Sequence, residues 1–254
     1  LTSYFIPNNL VASIKKVTQR EQKGMSEHNT QVVLVPGAWA DGSSWSGVIS
    51  LLGKEGIGAV SAPLALTSLA DDIRAVERTL ERVQGPVVLV GHAYAGAVIG
   101  SVRDPKVRAL VYVAALAPDE GETVADVFYR NEPHPLAPKL APDEHGLIWL
   151  PDDAFASAFA QNASPEEQVL SAATQRPISP ACITVPVGRP LWKDIPTWYL
   201  LAEQDRMIVE KTQRFMADRM GARVRALPVD HTPSVTAPEA VVALIVEAVR
   251  GVTL

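Results

Sequence analysis

Residues 86–96 read PVVLVGHAYAG. Pro86–Val90 is apolar throughout and rich in valine, as a strand buried on both faces requires, and it runs straight into Gly91. The small residues of Ala95–Gly100 then suit a helix packed closely on a sheet. Strand, sharp turn and helix are the expectation, and a turn this tight needs small residues on both sides of its apex, which Gly91 and Ala95 supply.

Outward from this stretch the same alternation recurs. Gln31–Val35 is a short β-branched run ending at Pro36-Gly37; Trp45, Val48, Ile49, Leu51 and Leu52 fall at helical spacing, closed by Gly53 and Gly56; Ile57–Ser61 is a further strand. Leu69, Ile73, Val76, Leu80 and Val83 recur every three or four residues after a Ser68/Asp71 capping pattern. Val107–Ala115, Thr197–Ala202 and Val224–Val229 complete the strands. Regular β/α alternation with apolar strands predicts an α/β fold, a mostly parallel sheet with helices on both faces.

The rhythm breaks between Pro118 and Pro196, where 12 of the 20 prolines lie, so that segment is expected to be a small helical cap inserted before the acid-bearing strand. Proline spacing in 133–142 blocks regular structure, while Asp152–Gln161 and Pro165–Thr174 each predict about three helical turns. The organisation is then a tail or extension at 1–30, a core from 31–117 and 197–254, and a cap at 118–196. The tail carries Lys15, Lys16, Arg20 and Lys23 without the apolar stretch of a secretory signal, and Met25 reads as a natural start, making residues 1–24 an added or upstream extension.

Composition narrows the classes. With 254 residues, 47% hydrophobic and 20% charged, the chain can build one core and is neither disordered nor fibrous. A single cysteine, Cys182, excludes an intrachain disulfide framework and a cysteine-rich zinc site. A net charge of −5 with interspersed signs provides no broad positive surface for nucleic acid or anionic lipid. No apolar run is long enough to cross a membrane, so a cytoplasmic protein is expected. No phosphate loop, H-E-x-x-H or dinucleotide fingerprint occurs, so no cofactor or metal is indicated. Oligomeric state is left open.

Three positions fall in a meaningful order. Gly91 to Ala95 fits the nucleophile elbow G-x-S-x-G, with Ala93 at the nucleophile position. Asp205 ends TWYLLAEQD, and His231 follows the ALPVD strand, matching the order nucleophile, acid, histidine. Together with VVLVPGAW (32–39), TSLADDI (67–73) and LVYVAALAPDEGE (110–122), these stretches make the chain resemble an α/β-hydrolase of the esterase, lactonase and hydroxynitrile-lyase group over nearly all of residues 30–250. It departs from that pattern in having Ala93 for serine and Pro36 for the histidine of a His-Gly pair.

The resemblance implies His231 as general base, Asp205 as the acid orienting it, and the backbone N–H groups of Ala38 and Tyr94 as the oxyanion hole. Asp119 is a rival acid. Trp39, Phe128, Trp149, Phe155, Phe159 and Trp192 are candidate linings of an apolar pocket. His92 is expected to turn away into the packing of the sheet, and the cap histidines His134 and His145 receive no role. Asp72, Glu77 and Glu81, with Arg74, Arg78 and Arg82, are expected to form a solvated helix face. The implied activity is hydrolysis of small hydrophobic esters or lactones. Ala93 then has three readings: a Ser→Ala replacement that leaves substrate bound uncleaved, a ligand-binding relative without the nucleophile, or a lyase-like enzyme in which His231 and Asp205 act as acid and base.

Overall fold

The computed structural model describes residues 30–252. The expected extension and the Met25 start lie outside the described residues, apart from Thr30, which leads into the first strand. The strands are β1 (Gln31–Val35), β2 (Ala59–Ser61), β3 (Val87–His92), β4 (Val107–Val113), β5 (Thr197–Ala202) and β6 (Arg223–Leu227). They form one six-stranded sheet in the order β2-β1-β3-β4-β5-β6, every neighbouring pair parallel. The fold is that of an α/β-hydrolase.

Period-two alternation sorts the strand side chains into two cores. Val33, Val35, Leu89, Leu110 and Tyr112 pack on one face with Val76, Leu80 and Ile99, whereas Val32, Leu34, Val88, Val90 and Val111 pack on the other with Trp45, Leu52 and Ile245. Their counterparts on helices Ser46–Lys54, Leu69–Glu81, Ala95–Ser101 and Pro238–Val252 are the apolar stripes of those helices. The chain passes from β1 to β2 on one side, then crosses to β3 on the other. Strand order therefore reverses between β1 and β3, and that reversal opens a crevice beyond their carboxyl ends.

Element boundaries differ from the sequence expectations mainly at ends. The strand expected from Ile57 begins at Ala59, and the one expected to stop at Val90 continues to His92. Between β4 and β5 the chain makes only short elements, including helices Val124–Phe128 and Pro165–Ala173, each opened by a capping box. The three-turn helix expected at Asp152–Gln161 is instead a short helix, Asp152–Ala154, leading into a π-turn at Phe155–Phe159. Its wider loop is closed by the Ala160 N–H donating to the Phe155 carbonyl at 2.8 Å.

Candidate active site

Ala93 stands at the apex of the turn between β3 and the Ala95–Ser101 helix with φ +49°, a left-handed conformation that an L-residue adopts only under constraint. The constraint is visible: its N–H donates to the Val113 carbonyl at 3.3 Å, and its carbonyl accepts from Gly96 N–H at 3.1 Å and Leu116 N–H at 2.9 Å. The close approach is possible only because residue 96 has no side chain, since a Cβ there would lie 2.3 Å from the Leu116 carbonyl oxygen. At Gly91 the same addition would meet the Ala95 carbonyl oxygen at 2.9 Å.

His231 follows β6, Asp205 follows β5, and both are buried. His231 Nδ1 lies 2.8 Å from Asp205 Oδ2. The carboxylate also accepts from Met207 and Ile208 N–H at 2.7 and 2.8 Å and from Gln213 Nε2 at 2.9 Å. Three donors besides His231 therefore converge on the Asp205 carboxyl group, and the bond to His231 calls for the imidazole proton on Nδ1. This leaves Nε2 as the free ring nitrogen of His231, which lines one cavity together with Ala93, Ala38 and Tyr94. Among the described residues, neither the Ala38 nor the Tyr94 N–H has an acceptor. Gln213 escaped the sequence reading because nothing local marks a helix glutamine as the partner of a loop carboxylate.

The wall of the cavity is almost wholly apolar. Trp39 and Phe128 line it, with Leu140, Ile148, Ile178 and Met207 among residues whose composition alone gave no signal. Trp39 has φ +58°, and its indole N–H donates to the Ile148 carbonyl at 2.9 Å, tying the loop after β1 to the β4–β5 excursion. The other expected aromatics stand elsewhere. Phe159 sits behind the wall, edge-on to Trp39 at 6.3 Å between ring centroids and 5.2 Å from His231; Phe155 backs it at 5.3 Å. Trp149 is 45% exposed, its indole held by Asp143 at 3.1 Å, and Trp192 is buried against the Gly100 side of the Ala95–Ser101 helix. Phe155, Trp149 and Trp192 are therefore not cavity residues.

The structure also places the other candidates. Asp119 is ion-paired with Lys193, so the carboxylate on His231 is Asp205. His92 is buried, as expected, and packs against His231: its Nε2–H donates to the His231 carbonyl at 2.7 Å, and the ring centroids are 4.8 Å apart. Burial, assisted by neighbouring His231, pushes its pKa down to about 3, so the ring is neutral. His134 accepts from Leu136 N–H, and His145 is exposed beside Glu144; neither reaches the cavity.

Asp72 is the largest departure. Periodicity placed it on a solvated face, yet it is fully buried. Its Oδ1 accepts from the Ala65 and Leu66 N–H groups, each at 2.9 Å, and its Oδ2 accepts from the Tyr94 hydroxyl at 2.9 Å. The Cys182 sulfur approaches that same oxygen at 3.8 Å. Desolvation raises the Asp72 pKa despite these donors, and burial together with Asp72 pushes the Cys182 thiol up to about 12.

Among the described residues no cluster of three His, Cys, Asp or Glu could hold a metal, and no helix is long and apolar enough to cross a membrane.

A probable hydrolase, R7, of Phoma sp. (strain ATCC 20986 / MF5453) is 26% identical over 234 residues, covering 82% of this chain and 93% of that one. The alpha/beta hydrolase nvfD of Aspergillus novofumigatus (strain IBT 16806) is 24% identical over 240 residues, covering 84% and 94%. Among solved structures, the pyrethroid hydrolase PytH superposes with a TM-score of 0.75 at 23% identity, over 88% of this chain and 98% of that one. Polyneuridine aldehyde esterase gives 0.76 at 17% identity, over 86% and 98%. Residues 32–244 match the sequence profile of the alpha/beta hydrolase family, and the chain belongs to that family.

Proposed function

We propose that the cavity is the site of a carboxylic ester or lactone hydrolase acting by the Ser-His-Asp mechanism, with the hydroxyl missing at position 93. The observation that carries this reading is the His231–Asp205 pair at 2.8 Å, with His231 lining the same apolar cavity as Ala93 and two unpartnered N–H groups. The 118–196 segment acts as the cap over it. The cavity wall holds no charged side chain unless His231 is protonated, so the substrate is a small neutral ester, apolar on both sides of its carbonyl. The names of two structural relatives, an esterase and a pyrethroid hydrolase, point the same way.

With a serine hydroxyl at 93 the chemistry balances. The oxygen attacks the ester carbon while His231 Nε2 takes its proton, and the Ala38 and Tyr94 N–H groups meet the oxyanion. Collapse expels the alkoxide, which leaves with the proton from His231; water then repeats the sequence and releases the acid. Alanine supplies no nucleophilic oxygen, so the chain binds the ester without acyl transfer to residue 93.

Hydrolysis of short p-nitrophenyl esters by this chain and by Ala93→Ser tests the proposal. Removing a serine nucleophile costs about a million-fold in turnover, so Ala93→Ser should gain by a comparable factor and lose it again when His231→Ala is added. No gain across several acyl lengths would reject the hydrolase reading.

A further inference from the structure

We infer that Phe159 is a positioning residue which, with His92, clamps the His231 imidazole so that Nε2 is presented to residue 93. This rests on the reading of His231 as the base. The Asp205 hydrogen bond fixes Nδ1 but leaves the ring free to rock about the Nδ1···Oδ2 axis. Two rings oppose that motion: Phe159 at 5.2 Å and 56° and His92 at 4.8 Å and 52°. They meet each other at 6.5 Å, so the three form a closed triangle and press on the imidazole from different directions. His92 is neutral and adds no charge repulsion when His231 takes a proton.

Phe159 is itself held by the loops it organises. It ends the π-turn, and the Ser157 and Phe159 carbonyls, in the last turn of that element, accept from side chains outside it. Arg206 Nη1 donates to the Ser157 carbonyl at 2.6 Å, and Gln161 Nε2 donates to the Gln204 carbonyl at 2.8 Å, so both neighbours of Asp205 are tied to this segment. The Thr232 hydroxyl donates to the Phe159 carbonyl at 3.2 Å, and the Asn162 N–H donates to Asp230 Oδ2 at 3.0 Å, so both neighbours of His231 are tied to it as well. One stretch, 157–162, therefore sets the acid loop against the histidine loop.

The test is proton NMR of the unliganded chain, following the His231 Nδ1 proton in its bond to Asp205, assigned by its loss in His231→Gln. The resonance should be present in the chain as it stands and unchanged in Trp192→Phe, which perturbs a buried aromatic against the Gly100 side of the Ala95–Ser101 helix and touches neither His231 nor Phe159. In Phe159→Leu it should exchange roughly two- to tenfold faster, the worth of an aromatic contact, and Thr232→Val should move it in the same direction. A missing resonance in the unmodified chain, or one unaltered in both Phe159→Leu and Thr232→Val, overturns the inference. Equal disturbance by Trp192→Phe also overturns it, by reducing the effect to a general loosening of the core. If Phe159→Leu does not fold, Thr232→Val decides alone. No turnover enters the readout, so failure of the hydrolase assay leaves this result standing.

Discussion

Replacing Asp72 separates its role as a buried acceptor from its role as a charge. Asp72→Ala strips acceptors from Ala65 N–H, Leu66 N–H and the Tyr94 hydroxyl. Ala65 is exposed and can turn to water, but Leu66 and Tyr94 are buried, and each orphaned donor costs about 1–3 kcal/mol, so the expected loss is about 2–6 kcal/mol. Asp72→Asn keeps an amide oxygen for the two N–H groups and offers an N–H to the Tyr94 oxygen, and should cost no more than about 1 kcal/mol at neutral pH. The pH dependence then has a definite sign. Because the folded-state pKa of Asp72 lies above its ordinary 3.8, its contribution is fully present below that value and is lost as pH rises through the folded pKa. The parent should therefore lose stability relative to Asp72→Asn as pH rises above 3.8. Urea denaturation followed by circular dichroism at several pH values measures both effects. A loss under about 1 kcal/mol in Asp72→Ala, or parallel pH profiles for parent and Asp72→Asn, would refute the reasoning.

Gly96→Ala sets a Cβ 2.3 Å from the Leu116 carbonyl oxygen, and the backbone has to move; a loss of about 3 kcal/mol or more in the same denaturation assay is expected. Cys182, fully buried and with its thiol pushed up to about 12, should resist iodoacetamide in the folded chain at pH 8 and react in urea, as mass spectrometry would show. Ala93→Gly removes the Cβ at φ +49°, and the relief of roughly 1–2 kcal/mol, less the added freedom of glycine in the unfolded chain, should leave a small rise in Tm; a fall in Tm would mean that the turn is not strained.

The sheet was legible because its signal is local and repeated. Runs such as Val87–Val90 are apolar on both faces, and the residue order at 93, 205 and 231 could be checked against topology without coordinates. What escaped was set by tertiary partners. Asp72 sits beside Asp71 in an amphipathic helix, and nothing in that spacing reveals that Tyr94 and the loop at 65–66 close over one carboxylate and not the other. Six aromatics were candidates for the cavity, yet Trp149 found a carboxylate at the surface, and Leu140, Ile148 and Ile178 of the proline-rich excursion joined Trp39 and Phe128 in the wall. At Phe155–Phe159 helical propensity predicted an α-helix; contacts with the Asp205 and His231 loops favoured a π-turn.

The elbow brings these strands of reasoning together. An alanine that did no more than join β3 to the next helix would have no cause to sit at φ +49°, a conformation that costs roughly 1–2 kcal/mol. It is held there by contacts that do not involve its own side chain: the Val113, Gly96 and Leu116 hydrogen bonds. The same backbone path brings Tyr94 to the cavity, while its hydroxyl is anchored on Asp72. On the proposed reading, recognition of a carbonyl oxygen depends on backbone geometry that survives without a hydroxyl, and acyl transfer on the one atom that alanine lacks. On the proposed reading the two functions separate at residue 93. Ester affinity should then be nearly the same in the parent and in Ala93→Ser, with the difference confined to turnover.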